Sequence, residues 1–228
     1  MMRRNIALIP AAGVGARFGA GKPKQYVEIN GKTVLQHTIE IFEQHPRIDL
    51  IAVILSPEDS VFQTALSEKV RVFRVGGASR AETVRNGVST LLEQGLAEAQ
   101  DNILVHDAAR CCLPAEALTR LLDEAGENDE GGILAIPVAD TLKRADGSHH
   151  INETVARAGL WQAQTPQLFQ TALLNRALSV DDLSEITDEA SVVEKLGIRP
   201  RLVQGDTRNL KLTLPQDEYI VRLLLKAV

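Results

Sequence analysis

Arg17, Lys22 and Lys24 crowd into a loop already loosened by Gly13, Gly15, Gly19 and Gly21. Glycines let a ligand touch the main chain, and Ala11 and Ala12 just before them add little bulk. Backbone N–H groups can then face an anion while the cations supply charge, so the stretch predicts a cradle for a polyphosphate. Two familiar phosphate loops nearly fit. Gly13-Val14-Gly15 begins a dinucleotide fingerprint, but Phe18 stands where its third glycine belongs. Gly21-Lys22 resembles the end of a P-loop, but Ala16 replaces the leading glycine and Pro23 the magnesium-binding hydroxyl residue. A plain Gly-rich turn with solvated cations is the competing reading; the clustering of charge beside the glycines favours the anion site.

Two further sets carry candidate chemistry: Asp107-Ala108-Ala109-Arg110, and Lys211 within Asn209-Leu210-Lys211. His106 and Asp107 are neighbours on an extended segment, so their side chains point to opposite faces. They do not make a catalytic dyad: His106 reads as structural and Asp107 as facing the ligand. His149-His150 reads as a solvated hairpin tip, and Asp181, Asp182 and Glu185 as a solvated helix boundary. No Cys or His pair has metal-ligand spacing, so no protein-held metal is expected.

The elements that must hold these residues alternate. Ile6–Ile9 is a buried strand. A helix with Val34, Leu35, Thr38, Ile39 and Phe42 on one face follows, and Pro46 stops it. Strands are expected at 49–55, 70–75, 102–106 and 131–138. A helix capped by Ser79 runs through Val84, Val88 and Leu91, and another starts at Pro114. Residues 160–165 predict a strand ended by Pro166, with a helix from about Gln170. Thr187 is expected to cap the next helix, residues 201–204 and 209–213 to be strands, and Tyr219, Ile220, Leu223 and Leu224 of a last helix to face the core. Strands alternating with helices imply an α/β fold with a mostly parallel sheet. In such sheets ligands lie beyond the carboxyl ends of strands, so the loops after the first, third and fourth strands are expected to share one site. Residues 139–158 are polar, with Asp146-Gly147 as a turn, and predict a β-arm standing off the sheet.

The chain has 228 residues, 44% hydrophobic and 24% charged, as expected of a globular protein with a substantial core. Its net charge of −5 argues against nucleic-acid binding through bulk charge. Cys111 and Cys112 are adjacent and predict reduced thiols in a cytoplasmic protein. Met1-Met2-Arg3-Arg4 imitates a signal peptide, but its apolar core is too short, and no stretch approaches a membrane span.

Taken together, Ala11–Arg17 with Pro23-Lys24-Gln25, Gly76-Gly77, His106–Arg110, Asp140-Thr141-Leu142-Lys143, Trp161 with Thr165-Pro166-Gln167, Thr187–Ser191 and Asn209-Leu210-Lys211 resemble the 2-C-methyl-D-erythritol 4-phosphate cytidylyltransferases over essentially the whole chain. The resemblance implies a single Rossmann-like nucleotidyltransferase domain over 1–228, with 139–158 as a dimerisation arm. It implies magnesium, held mainly by the CTP phosphates, and a homodimer made by arm exchange. The reaction implied is transfer of CMP from CTP to methylerythritol phosphate, releasing pyrophosphate, in the non-mevalonate route to isoprenoids. Arg17 and Lys24 would stabilise the transition state; Arg157 and Lys211 would position the acceptor phosphate. Ala11, Ala12, Gly13, Gly15, Gly77, Ala78, Thr83 and Ala108 would bind the nucleotide. Asp107, Arg110, Thr141 and Thr165 would meet the acceptor. Thr83 stands where the family often has Ser, and Cys111 where it usually has Pro. A ribitol 5-phosphate cytidylyltransferase and a catalytically silent nucleotide-binding module are the alternative readings.

Overall fold

The computed structural model describes residues 3–13, 23–63 and 67–226. Arg17 and Gly15, with Lys22, Gly19 and Gly21, lie outside them.

The first strand, β1 (Asn5–Pro10), is the axis of the molecule. Ile6, Ala7, Leu8 and Ile9 are all fully buried, because successive side chains enter opposite layers. Ala7 and Ile9 meet α1 (Val34–Gln44) and α3 (Ala115–Ala125) on one face of the sheet. Ile6 and Leu8 meet α2 (Arg80–Glu93), α4 (Thr171–Leu178) and α5 (Glu189–Glu194) on the other. A strand buried on both faces must be apolar throughout, which is why its sequence lacks alternation. On α1 the buried set is Val34, Leu35, Thr38, Ile39 and Phe42, as its periodicity predicts.

Two short strands, β2 (Glu28–Ile29) and β3 (Lys32–Thr33), pair as a small hairpin before α1. Strands β4 (Leu50–Ile54), β5 (Val70–Phe73), β6 (Asn102–Val105) and β7 (Gly132–Pro137) then build the sheet. The arm is β8 (Leu142–Ala145) with β9 (Ile151–Val155), and β10 (Trp161–Gln170) and β11 (Arg201–Gln204) complete the set. The seven-stranded order is β11-β7-β10-β6-β1-β4-β5. Among the described strands of this sheet β10 alone runs antiparallel to its neighbours. The chain builds outward from β1 to β5 and then returns to place β6 on the other side of β1. The carboxyl ends of β1 and β6 therefore flank a crossover in strand order, where ligands bind in such sheets.

Several sequence expectations give way. β10 does not end at Pro166 but continues to Gln170. Its register against β7 shifts between Ala163 and Gln167, so the ladder gap falls where Pro166 has no N–H to donate. α3 begins at Ala115, with Pro114 at its cap position. α5 is capped by Asp188, not Thr187: the Asp188 carboxylate accepts from the Ser191 N–H, which leaves Thr187 in the preceding turn. Residues 209–213 form no strand; Leu212 donates one backbone bond to the Ala109 carbonyl, at 2.9 Å, and no ladder follows. The last helix, α6 (Asp217–Leu224), docks through Val221 against Leu212 and Val34. Its Tyr219, Ile220 and Leu223 are 69%, 50% and 49% exposed, because α6 meets the small cluster of Ile29, Val34, Ala109, Cys111 and Leu212 through Val221 and presents these three outward.

Candidate active site

Three loops converge at the carboxyl ends of β1, β5 and β6, as expected, and enclose a cleft of about 470 Å³. β1 supplies Ala11, Ala12 and Gly13, which Gln25 holds from the side: its buried amide donates to the Ala11 carbonyl at 3.0 Å and to the Gly13 carbonyl at 2.8 Å. Lys24, beside Gln25 in the turn Lys24–Tyr26, also lines the cleft. The loop after β5 supplies Gly77 and Ala78, and α2 supplies Thr83.

This second loop is closed by its own helix. Ser79 caps α2 in a reciprocal capping box with Glu82. The Glu82 carboxylate accepts from the Ala78 N–H at 2.7 Å, and the Thr83 hydroxyl accepts from the Gly77 N–H at 3.1 Å. Gly76 donates to the Leu55 carbonyl and Ala11 to the Ile54 carbonyl, both at 2.8 Å. The N–H groups of these small residues are thus spent inside the protein, which leaves the loop its carbonyls and its contour to present to the cleft.

The loop after β6 carries Asp107, Ala108 and Ala109 into the cleft. Asp107 Oδ1 accepts from Arg80 Nε at 2.9 Å, while Oδ2 faces Lys211 Nζ at 2.9 Å and Arg110 Nε at 3.5 Å. Burial alone would raise this carboxyl, but Arg80, Lys211 and Arg110 outweigh it and hold Asp107 far below the usual carboxylate range. The Arg110 guanidinium also donates to the Asn209 carbonyl at 2.7 Å. A second cavity, about 180 Å³, opens beyond this cluster and shares Arg80, Asp107 and Lys211 with the cleft. Arg110, Thr165 and Gln167 line it.

Under Asp107 lies a buried relay. His106 Nε2 sits 2.9 Å from the Arg110 carbonyl, so it carries the proton and donates. Nδ1 is then the acceptor for the Thr165 hydroxyl at 3.1 Å, and the Thr165 oxygen accepts from the Asp107 N–H at 3.1 Å. Burial pushes the His106 imidazole down to about 4. His106 is structural and neutral, and Asp107 faces the cleft, as strand alternation predicts. Thr165 faces the second cavity while its hydroxyl steadies the Asp107 backbone.

The chain matches the family model described as 2-C-methyl-D-erythritol 4-phosphate cytidylyltransferase over residues 5–227. It belongs to that family. A relative of the same description from Neisseria meningitidis serogroup C / serotype 2a is 70% identical, covering 100% of both chains. One from Chromobacterium violaceum is 50% identical over 97% of this chain and 98% of its own. Among solved structures, a 4-diphosphocytidyl-2C-methyl-D-erythritol synthase superposes with a TM-score of 0.89 at 64% identity, covering 99% of this chain and 100% of that one. The Francisella tularensis cytidylyltransferase superposes with 0.82 at 31% identity, covering 97% and 99%. The protein is accordingly a CTP-dependent cytidylyltransferase on a nucleotidyltransferase fold.

Of the residues singled out in the sequence, Ala11, Ala12, Gly13, Lys24, Gly77, Ala78, Thr83, Asp107, Ala108 and Lys211 come together in the cleft, and Arg110 and Thr165 in the adjoining cavity. Thr141 and Arg157 lie exposed at the base of the arm and line neither. Sequence reasoning gave no role to Gln25, Arg80 or Glu189. One signal for Arg80 was available: a cation in the first turn of a helix opposes the dipole and calls for acidic partners. Glu189, in the first turn of α5, is almost fully buried beneath Arg80.

Proposed function

We propose that the cleft binds CTP and the adjoining cavity binds 2-C-methyl-D-erythritol 4-phosphate. CMP passes to the acceptor phosphate, giving 4-diphosphocytidyl-2-C-methyl-D-erythritol and pyrophosphate. The observation that carries this reading is Asp107, whose carboxylate is shared by Arg80, Arg110 and Lys211 where the two cavities meet. An acceptor phosphate drawn to Lys211 and Arg110 would stand beside the α-phosphate of a nucleotide seated over Ala11–Gly13.

The attacking oxygen belongs to a phosphate and is already anionic at neutral pH, so no general base is needed. The difficulty is electrostatic, one anion approaching another, and fixed cations address it. Lys24 and Arg17 would stabilise charge building on the nonbridging oxygens and on leaving pyrophosphate. Lys211, with Arg157 from the arm of a second subunit, would hold the acceptor phosphate in line. Thr141 would accompany Arg157. The small residues at Gly77, Ala78 and Ala108 leave room for a pyrimidine, and loop carbonyls suit the amino group of cytosine. Among the described residues no cluster of three or more His, Cys, Asp or Glu could hold a metal, and Asp107 is saturated by cations. That donor set fits a magnesium ion carried by the triphosphate, where it would neutralise phosphate charge.

The test is pyrophosphate release with magnesium and CTP, comparing methylerythritol phosphate with ribitol 5-phosphate and using UTP as control. Fast release with CTP and methylerythritol phosphate alone is expected, with Lys24→Ala reducing kcat by at least ~10²-fold. Preference for ribitol phosphate overturns the acceptor; nucleotide binding without release from either acceptor overturns the activity.

A further inference from the structure

Arg80 belongs to both halves of the site. Its backbone opens α2 directly after the loop Gly77–Ser79, where the capping box fixes it. Its side chain leaves that loop and spans two acids. Nε donates to Asp107 Oδ1 at 2.9 Å, while Nη1 and Nη2 grip the Glu189 carboxylate at 2.6 and 3.1 Å. Glu189 opens α5, which is itself pinned to β10. Gln167 accepts from the Ala190 N–H at 2.8 Å and donates to the Asp188 carboxylate at 2.8 Å. Arg80 is therefore anchored at both ends, and it lines both cavities.

The bidentate pair with Glu189 already satisfies both charges, yet the guanidinium spends its remaining edge on Asp107. That contact has a consequence for the other cations. Asp107 Oδ2 competes with any incoming phosphate for Lys211 and Arg110. With Oδ1 held by Arg80, the carboxylate has a fixed orientation and part of its charge is drawn away from those two groups. Released, it would rotate onto Lys211 and Arg110 and quench the charge that the acceptor phosphate needs.

We infer that Arg80 is a positioning residue for cytidylyl transfer: acting through Asp107, it keeps Lys211 and Arg110 aimed at the acceptor phosphate and ties that arrangement to the loop under the nucleotide. The inference rests on the two-cavity reading above.

Arg80→Lys tests it, because lysine keeps a positive charge beside Glu189 but loses the planar fork that reaches both acids. At saturating CTP, kcat/KM for methylerythritol phosphate should fall roughly tenfold to a hundredfold, the scale of a ~1 Å misplacement. KM for CTP should stay within about threefold, and the thermal melt should remain cooperative. In an Asp107→Asn background the same substitution should cost less than about threefold, because the carboxylate through which Arg80 acts is gone. Fully multiplicative losses in the double variant overturn the inference, as does equal loss for both substrates or wild-type kinetics in Arg80→Lys. Should Arg80→Lys fail to fold, Glu189→Gln loosens the far anchor while leaving both cavity linings intact. It should produce a smaller loss confined to the acceptor, and no such loss overturns the inference. A wild-type enzyme that turns over neither acceptor would overturn the activity itself and the inference with it; normal wild-type turnover with an unaffected Arg80→Lys overturns the inference alone.

Discussion

His106 sets a pH limit on stability by remaining neutral inside the protein. Its imidazole is fully buried, touches the Phe42 ring edge-on at 5.1 Å, and donates to one partner while accepting from another. Protonation would strand a second donor against the Thr165 hydroxyl in a site without water-like screening. Its folded value of about 4 lies below the unfolded value of 6.5, so the unfolded chain binds more protons between the two. Stability must therefore be complete above about pH 6.5 and fall as pH drops toward 4, by about 3 kcal/mol from this group. His45, also lowered by burial, adds in the same direction, whereas Glu189, raised by burial against the pull of Arg80, opposes it. Asp107 adds its loss only at lower pH, since its carboxyl stays ionised through this window. Urea unfolding of wild type and His106→Gln at pH 7 and pH 4.5 isolates the term. The variant should lose much less stability on acidification than wild type; parallel losses would place the acid sensitivity elsewhere.

The loops after β1 and β5 touch at Gly76, which has room for no side chain. A Cβ added at Gly76 would lie 2.3 Å from the Ala12 Cβ and 2.8 Å from the Leu55 carbonyl oxygen, so the two loops would have to separate. At Gly13 an added Cβ meets nothing within 4 Å, yet that residue lines the cleft. The two alanine substitutions should therefore part company. Gly76→Ala should cost about 1–3 kcal/mol of stability and also weaken CTP binding. Gly13→Ala should leave the melting temperature nearly unchanged and, on the proposed seating of CTP, raise KM for CTP, because the new methyl would enter only the open cleft. An unchanged KM in Gly13→Ala would remove the nucleotide from that part of the cleft. Elements whose pattern is local were legible in the sequence: β1 as an apolar run, α1 by its 3.6-residue period, and α2 by the Ser79 cap. What was not legible depends on partners distant in the chain. Arg80 and Glu189 are 109 positions apart, and a buried acid has no local signature. The 209–213 segment has strand-like alternation, but Asn209 spends its amide on the Thr165 carbonyl at 2.7 Å and the segment finds no ladder. Tyr219, Ile220 and Leu223 look like a core stripe, but the small cluster around Leu212, Ile29 and Val34 takes α6 through Val221 and leaves those three outside.

At the scale of the whole molecule the arm is the part that its own chain leaves incomplete. β8 and β9 pair only with each other and carry mostly exposed residues. Arg144–Glu153 and Lys143–Thr154 contacts decorate the hairpin, but Ile151 is 67% exposed, and Leu160 and Trp161 beyond it are 39% and 38% exposed. A two-stranded hairpin is marginal alone, and these apolar groups gain by being covered. The cleft, meanwhile, collects Lys24 and Lys211 from the main body but not Arg157. Both deficits are met if two copies exchange arms, so that Arg157 of each chain serves the other's cleft, with an isologous contact between them. Complementation tests this directly. Lys24→Ala and Arg157→Ala homodimers should each be nearly inactive, since each lacks one cation at both sites. In a mixed dimer, one site would combine Lys24 from the Arg157 variant with Arg157 from the Lys24 variant and be whole. The other would lack both. With random exchange at equal concentrations, half the dimers are mixed and each has one working site, so activity should recover to roughly a quarter of wild type. Recovery should follow the rate of subunit exchange, measured in parallel with differently tagged chains. Exchange without recovery would mean that each cleft draws Arg157 from its own chain, and the arm would then owe its exposed apolar residues to some purpose other than completing a neighbour's site.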